Sequence, residues 1–203
     1  MRLILWPRDF AAYLYRIRAY IYIILGLWVF SSFIGIILAL AMPRESGSFV
    51  GLISNQMKPL LSESTFTMMI NIFLNNGRAC AMEVILGSGL GIVTLLIVFV
   101  NGLAMGLVLV MALSKSGPLI TLAALLPHGI IEVPVVIISA AIGLRFGHCV
   151  LMALIRQPVD LVKDAIEGFS VFIFWLIPLL FVAAFIESYV TMNIVLFLMG
   201  GHS

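Results

Sequence analysis

The run YIYIILGLWVFSSFIGIILALAM, residues 20 to 42, contains no charged side chain. A helix needs about 20 mostly apolar residues to cross the hydrocarbon core of a bilayer, and this run is long enough by itself. It is too long for the apolar centre of a secretory signal and is followed by no convincing small-residue cleavage site. The rest of the chain has the same character. Of its 203 residues, 63% are hydrophobic and 10% charged, with a mean hydropathy of +1.23. Soluble domains carry about 25% charged residues, so this chain cannot coat a water-soluble globule. The expected fold is all-α, a polytopic transmembrane helical bundle. A formal net charge of +2 gives no reason to expect nucleic acid as a partner.

Working outward, residues 1–18 mix aromatics and arginines (Trp6, Arg8, Tyr13, Tyr15, Arg16, Arg18), the composition of an interface-anchored entry segment. Residues 19–203 read as one transmembrane domain of about five spans, near 20–42, 66–86, 91–113, 119–147 and 169–199. Short amphipathic surface segments are expected at 43–65 and 148–168. The first includes Asn55, Gln56, Lys58, Pro59 and Ser62; the second includes Asp160, Lys163, Asp164 and Glu167. The glycine-rich stretch Gly87-Ser88-Gly89-Leu90-Gly91 separates the second and third spans, and Ser114-Lys115-Ser116-Gly117-Pro118 is a turn. The fourth span is expected to break near Pro127 and Pro134.

Basic residues favour the cytoplasmic side. Arg2, Arg8, Arg16, Arg18, Arg145, Arg156 and Lys163 fall on one side of a five-span arrangement, and Arg44, Lys58, Arg78 and Lys115 on the other. Seven against four places the N-terminus inside and the C-terminus outside the cell membrane. Cys80 and Cys149 fall in different spans near opposite faces, too far apart for a disulfide.

The most informative polar residues lie where lipid is expected. Leu125-Leu126-Pro127-His128-Gly129-Ile130-Ile131-Glu132-Val133-Pro134 carries a histidine and a carboxylate one helical turn apart on one face. Charge at such depth costs roughly 2.5–3.5 kcal/mol per residue on insertion scales. Asn101, Glu132 and Glu187 fall near the midpoints of three spans, so we expect Asn101, His128, Glu132 and Glu187 to face one another. A second polar set comprises Asn75, Asn76, Arg78 and Glu83. Each admits a purely structural reading: Asn101 as interhelical hydrogen-bonding glue, and His128 with Glu132 as a hydrogen-bonded pair. A ligand or proton site is the functional alternative. His128 with Glu132 is weak evidence for zinc, which usually takes at least three protein ligands, and the second histidine of the metalloprotease helix is absent. No resident metal or other cofactor is therefore expected; the minor alternative is a metal held by His128 and Glu132, with intramembrane hydrolysis as its chemistry.

Gly87 and Gly91, Gly102 and Gly106, and Gly143 and Gly147 are pairs four residues apart. Such pairs let helices approach closely, within one chain or between copies. Gly87-x-Gly89-x-Gly91 is no nucleotide-binding fingerprint, because no strand precedes it. No Walker motif or nucleophile elbow occurs.

Together these residues resemble the stage II sporulation protein M family of multi-pass membrane proteins. The resemblance covers roughly residues 66 to 190. It is carried by Phe73-Leu74-Asn75-Asn76, Gly87-x-x-x-Gly91, Asn101-Gly102 with Gly106, Leu126 to Pro134, Gly143-Leu144-Arg145-Phe146-Gly147 and Ala183-Ala184-Phe185-Ile186-Glu187. The block Pro127-His128-Gly129-x-x-Glu132 is its most specific part. The resemblance implies a membrane-embedded organiser that acts, in spore-forming bacteria, with two peptidoglycan-degrading partners during engulfment. Members also occur in organisms that make no spores, so sporulation does not carry over. Family motif positions correspond here to Asn75, Asn101, His128, Glu132 and Glu187, without a catalytic assignment.

The leading expectation is a non-enzymatic membrane protein, a homo-oligomeric scaffold or organiser of membrane or cell-envelope partner proteins. The alternative is a transporter or channel for protons, small cations or a small solute, built on the Asn/His/Glu cluster.

Overall fold

The computed structural model describes residues 3–61 and 64–200, with the backbone alone for 53–61 and for 199. All regular structure among the described residues is helical. The expected surface residues Asn55, Gln56, Lys58 and Pro59 therefore have no described side chains, and Ser62, Glu63 and Arg2 lie outside the described residues.

Helix α1 runs from Pro7 to Ala41, with no break between the arginine-rich entry segment and the apolar run. Pro7 occupies the first turn, where its missing N–H has no partner to lose, and Asp9 faces the positive end of the helix dipole. Helix α2, Pro43–Leu61, follows at once. Helix α3, Thr65–Leu86, begins at Ser64, whose hydroxyl accepts from the Thr67 N–H at 3.3 Å. The turn after α3 contains Leu90 and Gly91 at positive φ (58° and 75°), a conformation glycine adopts without a steric cost.

Helix α4, Ile92–Leu154, is regular except at Gly117 (φ 75°, ψ 169°). Gly91 at its start lies against Leu144 near its end, and Gly147 lies against Gly91. The chain must therefore reverse between them, and Gly117 is where it does. Here the expectation of a break near Pro127 and Pro134 is corrected: both prolines sit within regular helix. An interior proline removes one backbone donor and crowds the carbonyl four residues back, a cost that membrane helices tolerate where neighbouring groups satisfy the freed backbone. Gly117 alone reaches the left-handed region that reverses the chain, and Pro118 restarts the helix behind it.

Beyond Ile155 to Asp160, α5 (Leu161–Val171), α6 (Ile177–Phe185) and α7 (Met192–Gly200) form one rod. They are joined by π-helical turns at Phe172–Leu176 and Ile186–Thr191. Asp160 caps its start, accepting from the Lys163 N–H at 2.9 Å. Residues 148–168 form the end of α4, a turn, and the first turns of the last rod.

Among the described residues, three helices are long and apolar enough to cross a membrane: Pro7–Ala41, Ile92–Leu154 and Leu161–Leu198. Large apolar side chains cover much of the outside of the bundle. Tyr22, Phe33, Leu40 and Ile130 are each at least 60% exposed, while Ile17, Ile24, Val98, Val135, Leu176 and Leu180 fill the interior. A helical protein that is oily on both faces belongs in a bilayer.

Candidate functional site

The tightest helix contacts are set by glycine. A Cβ on Gly143 would fall on the Glu83 carbonyl oxygen, and one on Gly87 would fall on the Gly143 backbone. Gly147 meets the backbone of Gly87, Leu90 and Gly91, while Gly102 and Gly106 meet Trp28, Ser31 and Ser32 of α1. Gly35 of α1, with Ser31 one turn before it, completes the second contact from the other side. Where α3 meets both halves of α4, the Thr94 hydroxyl donates to the Glu83 carbonyl at 2.9 Å. All three glycine pairs are thus occupied in packing within the chain.

On this frame His128, Glu132 and Glu187 come together. One ligand atom from each lies within 4.8 Å of the other two. His128 and Glu132 stand one turn apart on α4, and Glu187 enters from the π-helical turn between α6 and α7. A π turn inserts an extra residue and re-aims the side chains around it, a device frequent at functional sites. All three side chains are half-buried. His128 Nδ1 is itself buried and has no hydrogen-bond partner among the described residues. Nearby, Met68, Met69, Ile72 and Ala184 form an apolar cluster with Met192 packed against it.

Asn101 does not join them; it is exposed. Successive helix residues are about 100° apart. Because Gly102 is pressed against α1, its neighbour Asn101 faces outward, beside Leu96 (60% exposed) and Val100 (56%).

The second polar set divides. Asn75 and Arg78 are exposed, and Asn76 is half-buried and accepts from Asn75 Nδ2 at 3.4 Å. Glu83 is fully buried, and neither carboxyl oxygen has a partner among the described residues.

One polar assembly escaped the sequence reading. It ties the chain's beginning to the start of the last rod. The Ile4 N–H donates to Ser170 Oγ at 3.1 Å, and Trp175 Nε1 donates to the Ile4 carbonyl at 3.0 Å. Phe10 stacks on Trp175 with ring centroids 4.5 Å apart. Arg16 pairs with Glu167, and Arg145 with Asp164. Both guanidinium groups lie over the Tyr13 ring, 5.1 and 5.8 Å from its centroid, within cation–π range. The available signal was charge balance: acids at 164 and 167 facing basic residues assigned to the same side.

Comparison with known proteins bears on the whole arrangement. The family model for stage II sporulation protein M matches residues 20–192. An uncharacterized protein of Methanocaldococcus jannaschii, MJ0793, is 29% identical over 131 residues, covering 64% of this chain and 74% of that relative. No solved structure matches. The match takes in α1 from Tyr20 onward, the helices from α2 to α6 and the first residue of α7, and with them all the glycine contacts and the His128, Glu132 and Glu187 convergence. The chain belongs to the stage II sporulation protein M family.

Proposed function

We propose that this protein is a non-enzymatic, multi-pass membrane organiser that self-associates and holds partner proteins of the membrane or cell envelope. It crosses the bilayer five times, the two halves of α4 on either side of Gly117 counting separately, with the N-terminus inside. Arg16 and Arg145 meeting at one end of the bundle support that orientation. Family membership supports the organiser role.

The observation that carries self-association is Asn101. It stands at the level where Gly102 meets Trp28 and Ser31, half-way along the apolar run of α1, and faces outward. An amide facing lipid lacks a partner, and a second transmembrane chain supplies one. Interhelical hydrogen bonds of this kind contribute about 0.6–2 kcal/mol. Asn101→Leu is expected to weaken association roughly 3- to 30-fold, while Asn101→Gln keeps most of it. Light scattering in mild detergent and energy transfer between labelled copies in liposomes measure this. A monomeric wild type, or unchanged association in Asn101→Leu, refutes the reading.

The convergence of His128, Glu132 and Glu187 favours a second reading, passage of protons or small cations. Its signature is flux into proteoliposomes that Glu132→Gln abolishes while the protein stays folded; absence of flux across a panel of cations eliminates it.

A further inference from the structure

We propose that His128, Glu132 and Glu187 form a binding site for one divalent first-row transition metal ion, with Zn²⁺ as its best-fitting occupant. This inference does not rest on the organiser reading, and it competes with cation passage for the same three side chains.

Three features of the site point to this class of ligand. The first is geometry. Atoms bound to one zinc ion at about 2 Å lie within about 4 Å of one another. The three candidate ligand atoms already lie within 4.8 Å, a gap that small side-chain rotations close. They come from two separate elements, α4 and the π-helical turn at Ile186–Thr191, so the ion would pin the last rod to α4.

The second is donor chemistry. An imidazole nitrogen with two carboxylates suits zinc and its transition-metal neighbours. Calcium takes six to eight oxygens, and magnesium holds on to its waters and prefers oxygen throughout. The unpartnered, buried Nδ1 of His128 leaves that ring with a nitrogen unused by the protein. In metal sites the imidazole's second nitrogen is normally hydrogen-bonded; with Nδ1 as the ligand, Nε2 would fill that role.

The third is charge. Two carboxylates this close repel each other when both are ionised, and neither is among the acids paired with a basic side chain in the described residues. A doubly charged cation between two carboxylates and a neutral imidazole leaves the site with no net charge, the cheapest state for it inside a bilayer. A monovalent cation leaves one negative charge uncompensated. His128 and Glu132 alone fall short of the three protein ligands that zinc usually takes; Glu187 supplies the third. Three protein ligands leave the fourth zinc position for water or a further group.

The test uses the full chain in detergent, stripped with a chelator and reloaded with Zn²⁺. About one zinc per chain should survive buffer exchange, with a rise in thermal unfolding temperature. A thousandfold excess of Mg²⁺ should displace none of it. Glu187→Gln and His128→Gln keep the side-chain size and should each lower zinc affinity by tenfold or more. Co²⁺ gives an independent readout on the wild type alone, so the inference stays testable if a variant misfolds. Bound in a mixed nitrogen and oxygen site of low coordination number, it should show visible absorption that Zn²⁺ abolishes. A wild type that retains no zinc and shows no cobalt spectrum overturns the proposal. Zinc retained equally by folded Glu187→Gln and His128→Gln also overturns it, as an adventitious ion only.

Discussion

Gly143→Leu is expected to prevent the bundle from assembling, leaving no monodisperse folded protein after purification. Even the Cβ of an alanine at this position would overlap the Glu83 carbonyl and crowd the Thr94 hydroxyl at 3.0 Å. Neither obstacle can swing aside: one is backbone, and the other is held by its hydrogen bond to that same carbonyl. Helices α3 and α4 would have to separate, carrying with them the contact of Gly87 and Gly147. Overpacking ordinarily costs about 1–3 kcal/mol, and a fixed backbone obstacle places Gly143→Ala at or above the top of that range. The control is Gly77→Ala. Nothing lies within 4 Å of a Cβ there, and alanine is favoured over glycine in a helix by about 1 kcal/mol. Thermal unfolding in detergent should therefore show Gly143→Ala lowered and Gly77→Ala unchanged or raised. Equal behaviour of the two would mean that the glycines pack no helix contact.

How much of this was legible beforehand depends on which coordinate of a residue is asked for. Composition along the chain marked the apolar helices; azimuth around each helix was much less readable. Glu132, His128 and Glu187 converge, whereas Asn101 is turned outward. The clue to its direction lay in the next residue: Gly102 and Gly106 mark the face of α4 that must approach a neighbour, so Asn101 is turned away from it. Likewise Ser31 and Gly35, one turn apart on α1, formed a small-residue pair that an apolar span conceals. Polarity showed where the apolar pattern stops but not that the helix continues through it: Asp164 and Glu167 lie in the first turns of the last rod, paired with Arg145 and Arg16. The prolines misled for a related reason, since a helix accommodates a missing donor more readily than it accommodates a reversal.

The pair of Arg145 and Asp164 should show the second large effect, and its sign depends on which partner is lost. The side chains are only 16% and 7% exposed, so neither charge has ready access to water. Removing one partner from such a pair typically costs about 3–5 kcal/mol, because the other is left buried without its counter-charge. Arg145→Met should accordingly lower the unfolding temperature sharply, with Asp164→Asn close behind. Arg145 also lies over the Tyr13 ring, which makes its loss the worse of the two. Replacing both residues with apolar ones removes the unbalanced charge, and doubles of this kind are often neutral or stabilising. Arg145→Met combined with Asp164→Leu is thus expected to recover much of the stability that either single change loses. The coupling between the two sites, taken from a double-mutant cycle of thermal unfolding, is the quantity to measure. If the double variant is as unstable as the two single losses added together, the ion pair does not join α4 to the last rod. The stability of that end of the bundle would then rest on the Ile4, Ser170 and Trp175 hydrogen bonds and the Phe10 stack.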